Sequence, residues 1–96
     1  MPYIDQDLRS ILDRHVDGLA EQIDTVGELN YAVTRLVLGL IKKVGLNYNS
    51  LSLIMGTLYL IPLEIYRRIG VPYEDRKIKA NGDIREVIQF NGGVCE

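Results

Sequence analysis

The chain has no tryptophan, one phenylalanine, one histidine and one cysteine. Each scarcity removes a class of chemistry. A single thiol, Cys95, closes no internal disulfide and supplies no thiolate metal cluster. A lone free thiol suits a reducing compartment, so a cytoplasmic location is expected. With His15 as the sole imidazole, a His-Glu-x-x-His zinc site is excluded, and any Ser–His or Cys–His pair would have to use that residue. His15 lies between Ile11 and Leu19 at helical spacing, where it reads as the edge of an apolar stripe. Neither glycine-rich phosphate-binding signature occurs. No catalytic residue, metal ligand or cofactor is assigned on these grounds.

Long apolar runs are also missing. Leu36–Ile41 and Leu51–Leu63 fall short of the ~20 residues a membrane span needs. The opening Met-Pro-Tyr-Ile-Asp lacks the blocks of a signal peptide, so no membrane association is expected. The net charge is −2 and no block of like charge occurs, which disfavours general binding to nucleic-acid backbones. At 96 residues the chain suffices for one domain, 1–96, whose core is necessarily small.

What the chain does have is helical periodicity. Residues 5–24 place Leu8, Ile11, Leu12, Val16, Leu19 and Ile23 three and four apart, with Asp5 as N-cap. Thr25 and Glu28 form a capping box opening a second helix with Leu29, Val33, Leu36, Val37, Leu40 and Val44 on one side. Lys42 and Lys43 suit its negative end, and Gly45 its stop. Residues 51–70 predict a third helix, apolar nearly all round in its first half, as expected of a centrally packed element, with Pro62 placing a kink or break near Leu58–Pro62.

Residues 72–84 hold six charged side chains between Pro72 and Asn81-Gly82-Asp83. Glu74 and Asp75 suit the start of a helix, Lys77 and Lys79 its end. Residues 72–81 therefore predict a short fourth helix. A hairpin pairing Lys77–Ala80 with Asp83–Glu86 is the rival, since Asn-Gly also favours tight turns. Ile84–Phe90 reads as an extended tail or strand, and 84–96 as a possible oligomerisation arm. The expected fold is all-α: a small bundle of three long helices, the third kinked, with a short fourth helix and that tail.

One charged cluster surrounds the expected kink: Glu64, Tyr66, Arg67, Arg68, Tyr73, Glu74 and Asp75. Guanidinium forks fit phosphate or carboxylate, so an anion pocket from Arg35, Glu64, Arg67, Arg68, Tyr73, Asp75 and Lys77 is a candidate. An ordinary helix ion pair between Glu64 and Arg68 is the plainer reading. Asp75 and Asp83 are within possible reach of one cation, but nothing in the sequence fixes them together. Asn30 falls on the apolar side of the second helix and is expected to be a buried amide, bonded to Arg35 or Glu64. Asn81 and Asp83 are assigned structural polar roles. Six tyrosines and an apolar third helix suggest surface buried between copies, so a homo-oligomer is expected.

The chain resembles a family of short, uncharacterised phage and prokaryotic proteins. The likeness rests on Met1-Pro-Tyr-Ile4, Gly27-Glu-Leu-Asn-Tyr31, Thr34-Arg-Leu36, Glu64-x-Tyr-Arg-Arg68, and Pro72-Tyr-Glu-Asp75 with Lys77, Ile78 and Asn81-Gly-Asp83. It covers roughly residues 1–84 and implies that segment 72–84 is a shared element. It implies no particular activity. Two functions remain: a non-enzymatic helical interaction module, binding a protein partner or a small anion, or a small enzyme on a phosphorylated or nucleotide ligand, with Asp75 and Lys77 joining the pocket as a charge clamp.

Overall fold

A computed structural model describes residues 3–92. The described residues form helices and no strand: α1 (Gln6–Gln22), α2 (Val26–Val44), α3 (Tyr48–Ile65), a π-turn (Tyr66–Gly70), α4 (Val71–Asn81) and α5 (Arg85–Phe90). The fold is all-α. The chain divides into two units, Met1–Ser50 and Leu51–Glu96, the boundary falling in the first turn of α3.

Side-chain caps set the ends in the first unit. Asp5 accepts from the Leu8 N–H at 2.9 Å and starts α1. Thr25 Oγ1 accepts from the Glu28 N–H at 3.1 Å, and Glu28 reaches back to the Thr25 N–H, also at 3.1 Å. This reciprocal box satisfies two donors that the first turn of a helix leaves unpaired. Gly45 closes α2 at φ 95°, a left-handed conformation that favours glycine, with its N–H on Ile41 O. Ser50 then ties the α2–α3 loop: its N–H donates to Asn47 Oδ1 at 2.9 Å and its hydroxyl to Gly45 O at 2.7 Å. Asn47 thereby opens α3 three residues before the expected start.

The second unit uses fewer caps. α3 runs through Pro62 to Ile65, and the irregular piece lies beyond it at Tyr66–Gly70. There the bonding widens, the Val71 N–H donating to Tyr66 O five residues back. Pro72 supplies a reason. Within an unbroken α-helix its ring would press on the carbonyl four residues earlier and offer it no N–H. A wide turn stands just before this proline, whereas Pro62 is carried inside α3 without one, and helical backbone passes from α3 into α4.

α4 ends at Asn81, where Gly82 stands at φ 84° and donates to Ile78 O at 2.7 Å. The helix reading of 72–81 therefore holds and the hairpin is excluded, because Lys77–Ala80 is helical. Arg85–Phe90, expected as an extended tail or strand, is instead the short helix α5. Its sequence places Glu86 in the first turn and has no proline or glycine to resist the helix. Residues 93–96, with Cys95 and the end of the proposed arm, lie outside the described residues.

The stripes form as their spacing predicts, yet they are uncovered. Among the described residues no large apolar side chain is buried. Leu12 is 45% exposed, Leu36 63% and Leu53 65%. Ser50 is the one buried residue among those described. His15, expected at the edge of a covered stripe, is exposed, since that stripe is itself open. The largely apolar α3 is likewise uncovered among the described residues, although its composition suits a central position. No described helix is long and apolar enough to cross a membrane.

Candidate functional site

Glu64 near the end of α3 organises the first part of the charged region. Its Oε1 accepts from Arg67 Nη2 at 2.9 Å and its Oε2 from Arg68 Nη1 at 3.3 Å. Helical spacing of three and four residues brings both guanidiniums over one carboxylate. The hydrogen bond from Arg67, reinforced by its charge and by Arg68, holds the Glu64 carboxyl below its ordinary value. The arginines themselves stay largely in solvent. The forks proposed to receive an anion thus already hold Glu64.

The second part spans the π-turn. The Tyr66 ring lies across Gly70, so closely that a Cβ built on Gly70 would meet Tyr66 Cδ1 at 2.5 Å. Its hydroxyl donates to Glu74 Oε1. The periodicity explains the reach. A π-turn takes about 4.4 residues and an α-turn about 3.6, so eight residues complete two turns and positions 66 and 74 stack. In a plain α-helix the same eight residues would overshoot by about 80°. The hydrogen bond to Glu74 raises the Tyr66 hydroxyl above its ordinary value, with the charges of Glu74 and Asp75 adding to it.

On α4, the Tyr73 ring is faced by Lys77 Nζ at 5.6 Å and Arg76 Cζ at 5.9 Å from its centroid. Asp75 makes no ion pair among the described residues and acts on Tyr66 through its charge. Asp83 Oδ1 accepts from the Ile84 N–H at 2.7 Å, and Asn81 is the last residue of α4. Among the described residues no three His, Cys, Asp or Glu side chains gather so as to hold a metal ion.

In the first unit, Arg35 Nη1 donates to Tyr31 Oη at 2.9 Å, its guanidinium 5.7 Å above that ring. Asn30, expected to be a buried amide, is exposed, because the apolar face it borders is itself uncovered. Its backbone carbonyl accepts from Thr34 Oγ1 at 2.7 Å.

The structure therefore brings Glu64, Arg67 and Arg68 together, and Tyr73 with Lys77. Asp75 stands apart from the arginine pair. Arg35 belongs to the other unit. Sequence reading names Tyr66 and Glu74 but misses their coupling. The signal for it is Tyr66-x3-Gly70-x3-Glu74, a ring, a gap and a carboxylate at equal intervals just before and after a proline. Reading it requires knowing that the helix widens there.

No curated protein and no solved structure matches the chain. Residues 1–84 match a family described as a domain of unknown function (DUF6899), an extent that includes the arginine pair and the Tyr66–Glu74 clip. The chain therefore belongs to the DUF6899 family.

Proposed function

We propose that this chain is a helical interaction module that completes its fold by assembling with copies of itself. The lack of any buried large apolar side chain among the described residues, on regular helices, carries this reading. Ordering a residue costs about 1–2 kcal/mol of backbone entropy. Fully burying a leucine, isoleucine or valine returns about 1.5–3 kcal/mol, and helices of this length draw most of their stability from such packing. Stripes left open within one chain find that burial against other chains.

The charged region supports the same reading. Several of its charged groups are engaged with near neighbours in the chain, Glu64 with two arginines and Glu74 with Tyr66. Glu64 already offsets part of the positive charge that would draw an anionic ligand to Arg67 and Arg68. An exposed end of this kind suits contact with a protein partner more than enclosure of a reacting substrate. The lone cysteine and the likeness to short phage and prokaryotic proteins support a cytoplasmic, phage- or prokaryote-encoded setting.

Sedimentation equilibrium of the full chain tests the proposal. A mass of two or more chains, falling toward one on dilution together with helical circular dichroism, is expected. A folded single chain at every concentration would refute it.

A further inference from the structure

We infer that α1 is exchanged between copies, its apolar stripe seating on α2 of a second copy of this chain. The inference rests on the self-association proposed above and specifies its geometry. α1 and α2 are joined by Ile23, Asp24 and Thr25 alone. So short a connection ordinarily folds two helices into an antiparallel pair. Here α1 and α2 do not pack side by side, and both stripes stay open, from Leu8, Ile11, Leu12, Val16 and Leu19 on α1 to Leu29, Val33, Leu36 and Leu40 on α2.

The linker shows why. Ile23 and Thr25 are both extended, at φ −102° and −130°. Each linker N–H is already committed. That of Ile23 donates to Ala20 O at 3.3 Å, while those of Asp24 and Thr25 converge on Glu28 Oε1 at 2.7 and 3.1 Å. These bonds tie the linker in the arrangement in which α1 and α2 stay apart. A short tied hinge that holds two complementary faces apart favours exchange of the element with an identical chain.

Charge and area both suit a second copy as the occupant. α1 carries Asp7, Asp13, Asp17 and Glu21 against Arg9 and Arg14, an acidic excess. α2 carries Arg35, Lys42 and Lys43 against Glu28, a basic excess. Opposite signs of this kind draw the two helices together across copies. A two-fold exchange makes the contact twice, burying on the order of 1,000 Å² of apolar surface, the scale of a stable interface.

The test uses the full chain. Labelled and unlabelled protein, unfolded together and refolded at equal amounts, should give isotope-filtered NOEs between the α1 and α2 stripes across chains. The same contacts seen only within a chain would overturn the exchange. In a Cys95→Ser background, Val16→Cys with Val33→Cys should oxidise to a covalent dimer on a non-reducing gel. A product of single-chain size would overturn it. Neither contact, in protein that still sediments as a dimer, removes the exchange and leaves self-association standing. A monomer in sedimentation removes both.

Discussion

The two units answer the same difficulty, an interruption in a helical chain, in different ways. In Met1–Ser50 the helix starts are set by side chains and the end of α2 by Gly45 at positive φ. Asp5, the Thr25–Glu28 box and Ser50 each satisfy backbone groups that the helix leaves open. In Leu51–Glu96 the helical backbone continues from α3 through the π-turn into α4, and the N-terminus of α4 has no side-chain cap. There Pro72 is accommodated by a change of hydrogen-bond register, locked by Tyr66 over Gly70 and onto Glu74. The first device makes firm stops. The second keeps helical backbone going while rotating the faces of α4 about its axis. Both leave their apolar faces open.

Breaking a stripe should have the largest effect. Leu36→Glu alters a side chain that is 63% exposed in the single chain. If nothing covers it, the change stays within about 0.5 kcal/mol, as for ordinary surface positions. Burial between copies instead predicts a loss of about 2–5 kcal/mol, read as collapse of the assembly and of helical circular dichroism.

Removing a cap comes next and separates the units. Thr25→Ala should cost about 1 kcal/mol in thermal or urea unfolding. Hydrogen exchange should rise at the start of α2 and leave α4 unchanged.

The response to pH differs between the units. Hydrogen bonds from the Asp24 and Thr25 N–H groups hold Glu28 below its ordinary value of 4.5, and Arg67 does the same for Glu64. A depressed carboxyl lends stability that is full above 4.5 and is lost as pH falls through the lower folded value. Acid should therefore loosen both units. Tyr66 is raised above 10 by its bond to Glu74, so its contribution is full below pH 10 and is lost as pH rises through the higher folded value. Alkali should therefore loosen the Tyr66–Glu74 clip in the second unit. Tyr66→Phe should abolish that alkaline limb when the α4 amides are monitored by NMR.

Gly70→Ala should give the smallest net change. The new methyl displaces the Tyr66 ring, while alanine returns up to about 1 kcal/mol of helix propensity. Unfolding should therefore shift by less than about 1 kcal/mol, while the Tyr66 ring resonances move clearly. Unmoved ring resonances would show that the clip does not depend on the gap at Gly70.

Much of the fold is legible in the sequence because helix ends are local. Asp5, Thr25 with Glu28, Gly45 and Asn81-Gly82 act within one turn of themselves, and each sits where its chemistry predicts. The π-turn is harder to read, since it results from Pro72 acting on the turn before it together with a ring that only Gly70 admits. Arg85–Phe90 is misread as extended because so short a segment, carrying Ile84, Val87 and Ile88, satisfies helix and strand patterns alike. For the candidate site, the Glu64–Arg68 pairing is set by spacing alone. The partners of Arg35 and Tyr73 lie at the same helical spacing but are harder to read, because each pair joins a cation to a ring and not to an opposite charge. Burial of Asn30 is misjudged for a different reason. An apolar stripe says that a face needs cover, not that the same chain supplies it.

The central claim is that folding and assembly are one event, and melting temperature as a function of chain concentration tests it most directly. Coupled assembly predicts a midpoint that climbs steadily with concentration over about two or three decades. A midpoint that stays fixed while the helices remain formed would contradict it.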